Sequence, residues 1–104
     1  MATVRWTSVA FRQFRGIVDH VTAFSANAGS TLADRITQAL DNLETFPRLG
    51  RMVPDYQDEA IRELIVGDYR VVYRIVGDEV RVIAVVHGSR DLMRHLPDGP
   101  WDIE

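Results

Sequence analysis

The sequence predicts an α+β fold in which a two-helix antiparallel hairpin packs on a curved antiparallel sheet. In the first half, apolar residues recur at spacings of three and four between Ala10 and Phe46, which is typical of amphipathic helices. The second half, from Ile61 to His87, alternates in the manner of strands and is interrupted by two Gly-Asp turns. The helices have only the sheet as a large apolar partner, so the two layers are expected to pack together.

The chain opens with a short predicted strand, Thr3 to Trp6. Thr7 and Ser8 offer hydroxyls that can cap the first helix. This helix is expected to end near Asn27-Ala28-Gly29, where a left-handed C-cap is easily formed. Its apolar stripe consists of Ala10, Phe14, Ile17, Val21 and Phe24.

Ser30 and Thr31 are the predicted caps of a second helix, which Pro47 ends. Its apolar stripe consists of Leu32, Ile36, Ala39 or Leu40, Leu43 and Phe46. The short join between the two helices predicts an αα-hairpin.

A turn-rich loop, Pro47 to Pro54, follows the helices and continues as an acidic stretch from Tyr56 to Ala60. Three strands come next, and their tight turns predict antiparallel pairing. They are Ile61 to Val66, Tyr69 to Val76 and Glu79 to His87. The middle strand places Tyr69, Val71, Tyr73 and Ile75 on one face and Arg70, Val72 and Arg74 on the other. The last strand becomes apolar on both faces, as expected of a central strand.

The order is therefore β-α-α-β-β-β, and the first strand is expected to join the sheet beside a later one. After Gly88, the segment Ser89 to Leu96 is compatible with a turn of helix. Pro97 to Glu104 is expected to form a loose tail. With 104 residues, the chain is expected to be one domain, 1–104.

Composition excludes several classes of function. The chain has no cysteine, which excludes disulfides, thiolate metal sites and cysteine nucleophiles. Its three histidines, His20, His87 and His95, do not have the spacing of a metal site, so no metal and no cofactor are expected. No apolar run approaches the ~20 residues of a membrane span, and the start does not look like a signal peptide. A cytoplasmic protein that does not contact a membrane is therefore expected.

The identity of the basic residues is more informative than the net charge of the chain. The formal net charge is −3, so overall basicity does not indicate nucleic-acid binding. All 12 basic residues are arginine and none is lysine. Arginine is permanently charged and forms bidentate contacts with phosphates and carboxylates, and no lysine is available as a general base.

Several short motifs, in a fixed order from Trp6 to Leu96, resemble the RelE/ParE superfamily of bacterial toxins. They are Gly50-Arg51 after Pro47, Arg62-Glu63-Leu64, Gly67, Tyr69 to Tyr73 (YRVVY), and His87-Gly88 followed by Arg90-Asp91-Leu92. Each motif is short, and it is their order and spacing on a β-α-α-β-β-β chain that is similar to this superfamily.

The resemblance implies a toxin of a type II toxin–antitoxin pair. One fold carries two activities in this superfamily: RelE-like members cut messenger RNA on the ribosome, and ParE-like members inhibit DNA gyrase. The resemblance also implies a cognate antitoxin that wraps the toxin, with operator DNA contacted only through that antitoxin. A member that has lost toxicity and only binds its antitoxin is a third possibility.

If the chain is a nuclease, the catalytic candidates are Arg70, His87 and Arg90. RNA cleavage needs cations on the phosphate and a group that moves protons near neutral pH, which arginine and histidine supply. RelE-like enzymes usually add a tyrosine or comparable group after the last strand. Here that stretch, Leu92 to Leu96, has one arginine and one histidine but no tyrosine or lysine.

The same stretch is similar to ParE-like chains, and so is the long helical hairpin. ParE-like inhibition of gyrase is therefore the favoured interpretation, with the ribosome and its mRNA as the alternative target. A protein-binding surface needs anchors rather than a proton-transfer group. The candidate target-binding residues are Arg62, Arg74, Leu92, Met93 and Leu96.

Structural roles compete with these functional ones. Arg70 and Arg74 are equally compatible with a solvated or ion-paired strand face opposite Glu63, Glu79 or Arg81. His87 and Asp91 could cap a short helix. Tyr69 and Tyr73 are expected in the core, and Asp55, Asp58 and Glu59 are expected to be solvated loop charges.

Overall fold

A computed structural model describes residues 1–88 and has the predicted element order. The elements are β1 (Thr3–Trp6), α1 (Ser8–Phe24), α2 (Ala26–Asp41), a 3-10 turn (Asn42–Glu44), β2 (Arg51–Met52), β3 (Ile61–Val66), β4 (Tyr69–Val76) and β5 (Glu79–His87). The short strand β2 lies in the region predicted to be only a turn-rich loop. Neither helix in the described part of the chain combines the length and the hydropathy of a membrane span.

The start of α1 confirms the predicted cap at Thr7. Its Oγ1 accepts the backbone N–H of Ala10 at 3.2 Å, which satisfies a free donor of the first turn. The same hydroxyl donates to the carbonyl of Val82 at 2.8 Å. One threonine therefore caps the helix and fixes it to β5.

The predicted join between the helices was wrong. The chain reverses at the single residue Ser25, immediately after Phe24, and not at residues 27–29. The Ser25 hydroxyl accepts a backbone N–H of the first turn of α2 at 3.1 Å. Gly29 is not a C-cap but a buried residue inside α2, where a methyl group would overlap the side chain of Thr22. Gly29 matters here for its small size, which lets α1 and α2 approach closely, and not for its backbone freedom.

The second helix therefore begins before Ser30 and Thr31, which were wrongly predicted to cap it. Its stripe is confirmed at its buried positions Leu32, Ile36 and Leu40, with Leu43 buried in the 3-10 turn that follows. The regular helix ends at Asp41, before Pro47 can act on it.

Two aromatic residues assigned to the apolar stripes are exposed instead. Phe24 is the last residue of α1 and contacts the His20 ring, with 5.2 Å between ring centroids. Phe46 follows the 3-10 turn. Phe24 ends α1 and Phe46 lies beyond the 3-10 turn, so neither is within a continuing helix whose period would direct it into the core.

The five strands form one sheet in the order β1-β5-β4-β3-β2. The prediction that the first strand lies beside a later one is confirmed: β1 pairs with β5, in parallel. The other pairings are antiparallel, as predicted. The sheet is therefore mixed, with β5 between its parallel and its antiparallel neighbour.

Each face of the sheet carries its own apolar cluster. The helix-side cluster contains Ala10, Leu32, Ile36, Leu40, Leu43, Val66, Val71, Tyr73, Val80, Val82 and Val85. The second cluster, on the other face, contains Val53, Tyr56, Ile61, Val72, Ile83, Ala84 and Val86. We call the face without the helices the open face. Val53 and Tyr56, from the segment 53–60, pack on it. A bulge in β5, where Val72 pairs with Ala84 and Tyr73 with Val82, turns consecutive residues toward the open face. The strand β5 contributes to both clusters, which explains why it is apolar on both sides.

Candidate functional site

Tyr73 holds the loop that follows the helices. Its hydroxyl donates to the carbonyl of Pro47 at 2.7 Å and accepts the N–H of Gly50 at 2.9 Å. Burial raises the pKa of this phenol, against smaller opposing effects of the Gly50 N–H and nearby arginines. A Cβ at Gly50 would overlap the carbonyl of Glu63 and the Tyr73 ring, so only glycine fits. Tyr73 is buried, as predicted, but it also has a specific polar role.

Arg62, a candidate for target binding, is used within the fold. Its Nε donates to the carbonyl of Glu59, and its Nη1 donates to the carbonyl of Gly50, both at 2.9 Å. A longer contact of 3.4 Å reaches the carbonyl of Arg48. These bonds join the segment before β2 to the end of the loop before β3, and they use the Nε and Nη1 donors of the guanidinium.

Arg70 lies on the open face in a cluster of four charges. Its Nε is 2.6 Å from Oε1 of Glu63, and its Nη2 is 3.1 Å from Oδ1 of Asp55. Arg51 contacts the second oxygen of Glu63 at 2.7 Å. Each carboxylate is therefore paired, and the four charges sum to zero.

Burial changes the interpretation of this cluster. The expected ion pair of Arg70 with Glu63 is present, but it is buried rather than solvated: the Arg70 side chain is only 10% exposed, and that of Glu63 is fully buried. Asp55 was expected to be a solvated charge and is instead the second partner of Arg70. Burial lowers the pKa of Arg70, but the hydrogen bonds and charges of Glu63 and Asp55 outweigh it, so the pKa lies above its usual value.

His87 lies away from this cluster, on the other side of the sheet. It pairs in register with Tyr69, and the two rings are 5.6 Å apart at 80°. Tyr69 packs against the helix-side cluster, whereas its neighbour Arg70 faces the opposite way. The backbone alternation therefore separates the histidine from Arg70 by the thickness of the sheet.

Arg74 belongs to a line of arginines that sequence reasoning did not assemble. It pairs with Arg81 across β4 and β5, and Arg81 pairs with Arg5 across β5 and β1. Paired residues share a face of the sheet, so the three side chains form one row, which we call the arginine row. Glu79 forms ion pairs with Arg5, at 3.4 Å, and with Arg81. The hydrogen bond from Arg81 is the main cause of a lowered pKa at Glu79.

The remaining candidates, Arg90, Leu92, Met93 and Leu96, lie outside the described residues, as does the proposed His87–Asp91 cap. Within residues 1–88, no group of three or more histidine, aspartate or glutamate side chains is placed to hold a metal ion.

Comparison with known proteins places this geometry in a family. The family model described as "ParE toxin of type II toxin-antitoxin system, parDE" matches residues 4–92. The chain belongs to this family of ParE toxins. The toxin is also 31% identical over 91 residues to Toxin RelE2 of Caulobacter vibrioides, which covers 86% of this chain and 99% of the relative. The resemblance to the RelE/ParE superfamily is thus confirmed.

Solved structures confirm the predicted fold of the toxin. A chain of the chromosomal ParDE toxin–antitoxin system from P. aeruginosa aligns with a TM-score of 0.69 at 18% identity, covering 84% of this toxin and 96% of that chain. A chain of the toxin–antitoxin complex RelBE2 from Mycobacterium tuberculosis aligns with a TM-score of 0.57 at 22% identity, covering 83% and 96%. At these identities the likeness extends to the fold alone.

Proposed function

We propose that this toxin inhibits growth in the ParE manner, by poisoning DNA gyrase, and that a cognate antitoxin neutralises it. One observation carries the proposal: Arg70 and His87 lie on opposite faces of the sheet, and Arg70 is already paired with Glu63. Of the three candidate nuclease residues, these two lie within residues 1–88, which the structure describes.

A ribonuclease needs its groups to converge. The cation must reach the phosphate while the proton-transfer group is within about 3 Å of the reacting oxygen. The side chains of Arg70 and His87 leave the sheet on opposite faces, which argues against their meeting at one phosphate. Arg70 would also have to leave Glu63 buried without this partner, which is unfavourable.

An inhibitor of a protein target has no such requirement. It needs exposed anchors and complementary charge. The toxin offers exposed apolar side chains at Phe24, Phe46, Leu49, Met52 and Ile65. Arg74, a predicted target-binding residue, lies on the open face beside Arg81.

The second candidate is a RelE-like nuclease that cuts messenger RNA on the ribosome. The observation that favours it is the 31% identity to a relative named Toxin RelE2. In this case Arg90, with His87 or His95, would have to supply the chemistry without Arg70.

The proposed partner in both cases is an antitoxin, in keeping with the two toxin–antitoxin systems among the structural relatives. We expect its toxin-binding segment to be amphipathic and acidic, because every basic residue of the toxin is arginine. Operator DNA would be contacted only through this partner.

Two parallel assays with purified toxin separate the candidates. The proposal expects loss of gyrase supercoiling or trapping of cleaved DNA, with cell-free translation unaffected. The nuclease alternative expects arrested translation and active gyrase. Toxin preincubated with antitoxin is the control, and it should restore whichever activity is lost.

A further inference from the structure

The arginine row, Arg5, Arg81 and Arg74, opposes a basic rule of sheet stability. Like charges directly opposite on neighbouring strands repel and destabilise the pairing. Here two consecutive strand pairings place arginine against arginine. The strand spacing makes the row roughly 10 Å long.

The fold compensates this charge only in part. Glu79 is the carboxylate that pairs with Arg5 and Arg81. The Arg74 guanidinium forms no ion pair within residues 1–88, and its buried Nε has no hydrogen-bond partner there. An unsatisfied buried donor is costly, and the Arg74 guanidinium keeps a charge that no carboxylate in residues 1–88 neutralises by an ion pair.

Two members of the row, Arg5 and Arg81, are accessible. The side chains of Arg5 and Arg81 are 67% and 42% exposed. Together with Trp6, Thr7 and Glu79 they line a surface pocket at the β1 edge of the sheet. Guanidinium groups in this setting form bidentate contacts with carboxylates and phosphates.

We propose that the arginine row binds the carboxylates of an acidic segment in a protein partner. The choice of carboxylate over nucleic-acid phosphate follows from the charge. A duplex presents a phosphate charge every ~1.7 Å along its whole length, and a chain with a net charge of −3 has no excess of basic residues to hold that length. A short row with Glu79 beside it instead suits one or two carboxylates placed between arginines.

This inference rests on the proposed function only in expecting a protein partner. Its test is direct binding and involves neither gyrase nor growth, so the two can fail separately. The probe is a hexaglutamate peptide, titrated at low salt into ¹⁵N-labelled toxin. The signals to follow are the Nε–H of Arg74 and the indole N–H of Trp6.

We expect these signals to shift with the peptide, and Arg74→Gln or Arg81→Gln to weaken binding roughly five- to ten-fold. Arg5→Gln, on an exposed edge, provides the same test should a substitution at Arg74 disturb folding. The matched control is Arg15→Gln, which removes the same charge from the exposed surface of α1.

Three results would overturn the proposal. The first is a spectrum that hexaglutamate leaves unchanged. The second is equal weakening by Arg15→Gln, which would indicate a response to net charge alone. The third is tighter binding of a six-nucleotide oligothymidine than of the peptide, which would assign the row to phosphate.

Discussion

Nε of Arg70 lies 2.6 Å from Oε1 of Glu63, a carboxylate whose side chain has no exposed surface. This contact joins β3 and β4 on the open face and extends to Asp55 in the preceding loop. It gives Arg70, one of the candidate catalytic residues, a structural role in the sheet. Removing either partner would leave the other buried with fewer compensating charges.

Arg70→Ala should therefore destabilise the toxin strongly. Breaking a buried ion pair typically costs ~3–5 kcal/mol, and Arg51 would still compensate Glu63 in part, so we expect about 2–4 kcal/mol. The free energy of unfolding in urea measures this. Arg15→Ala is the control for an exposed arginine and should change stability by less than about 0.5 kcal/mol. An equally small effect of Arg70→Ala would show that the pair does not hold the sheet.

Tyr73 should make the toxin sensitive to high pH. Burial raises its pKa above the ordinary value of 10.0, so the unfolded chain releases this proton first. The stability linked to Tyr73 is thus fully present below pH 10 and is lost as pH rises through the folded pKa. Unfolding free energies at pH 8 and pH 11 should show a decrease in the wild type and a smaller one in Tyr73→Phe.

The same substitution should be costly at neutral pH. Without the hydroxyl, the Gly50 N–H and the Pro47 carbonyl lose their partner, which corresponds to about 1–3 kcal/mol. An identical pH dependence in wild type and Tyr73→Phe would mean that another group controls the alkaline transition.

Two helical glycines should respond to alanine with opposite signs. Gly29 is buried against Thr22, so Gly29→Ala should force the helices apart and cost ~1–3 kcal/mol. A methyl group added at Gly16 in α1 would meet no atom within 4 Å, so Gly16→Ala should stabilise the helix by about 0.5–1 kcal/mol. Thermal unfolding of both variants tests the packing of the hairpin. Stabilisation by Gly29→Ala would contradict the close approach at Thr22.

The fold was predictable because apolar residues recur with a helical period in the first half of the chain and alternate as in strands in the second half. The helical stripe around Ile36 and the strand alternation from Tyr69 to Tyr73 are local signals, and both are confirmed. The join at Ser25 was missed because a glycine in a helical pattern can be either a C-cap or a close helix contact, and Gly29 is the second. Only the packing of α1 on α2 distinguishes them.

The candidate site was less predictable because it depends on contacts between distant segments. Alternation alone places Arg70 and Glu63 on the same face, but the partnership with Asp55 requires the fold of an irregular loop. The arginine row requires the parallel register between β1 and β5, which brings Arg5 beside Arg81. The sequence of either strand alone does not indicate how the two strands are aligned.

The proposed function requires that Arg70 and His87 do not form a nuclease site. Mapping the 5′ ends of transcripts in cells that express the toxin without its antitoxin tests this most directly, with His87→Ala and an empty vector beside the wild type. We expect no new codon-phased cuts from either toxin, and growth arrest by His87→Ala close to that of the wild type. Codon-phased cuts by the wild type that disappear in His87→Ala would contradict the proposal and assign the histidine to catalysis.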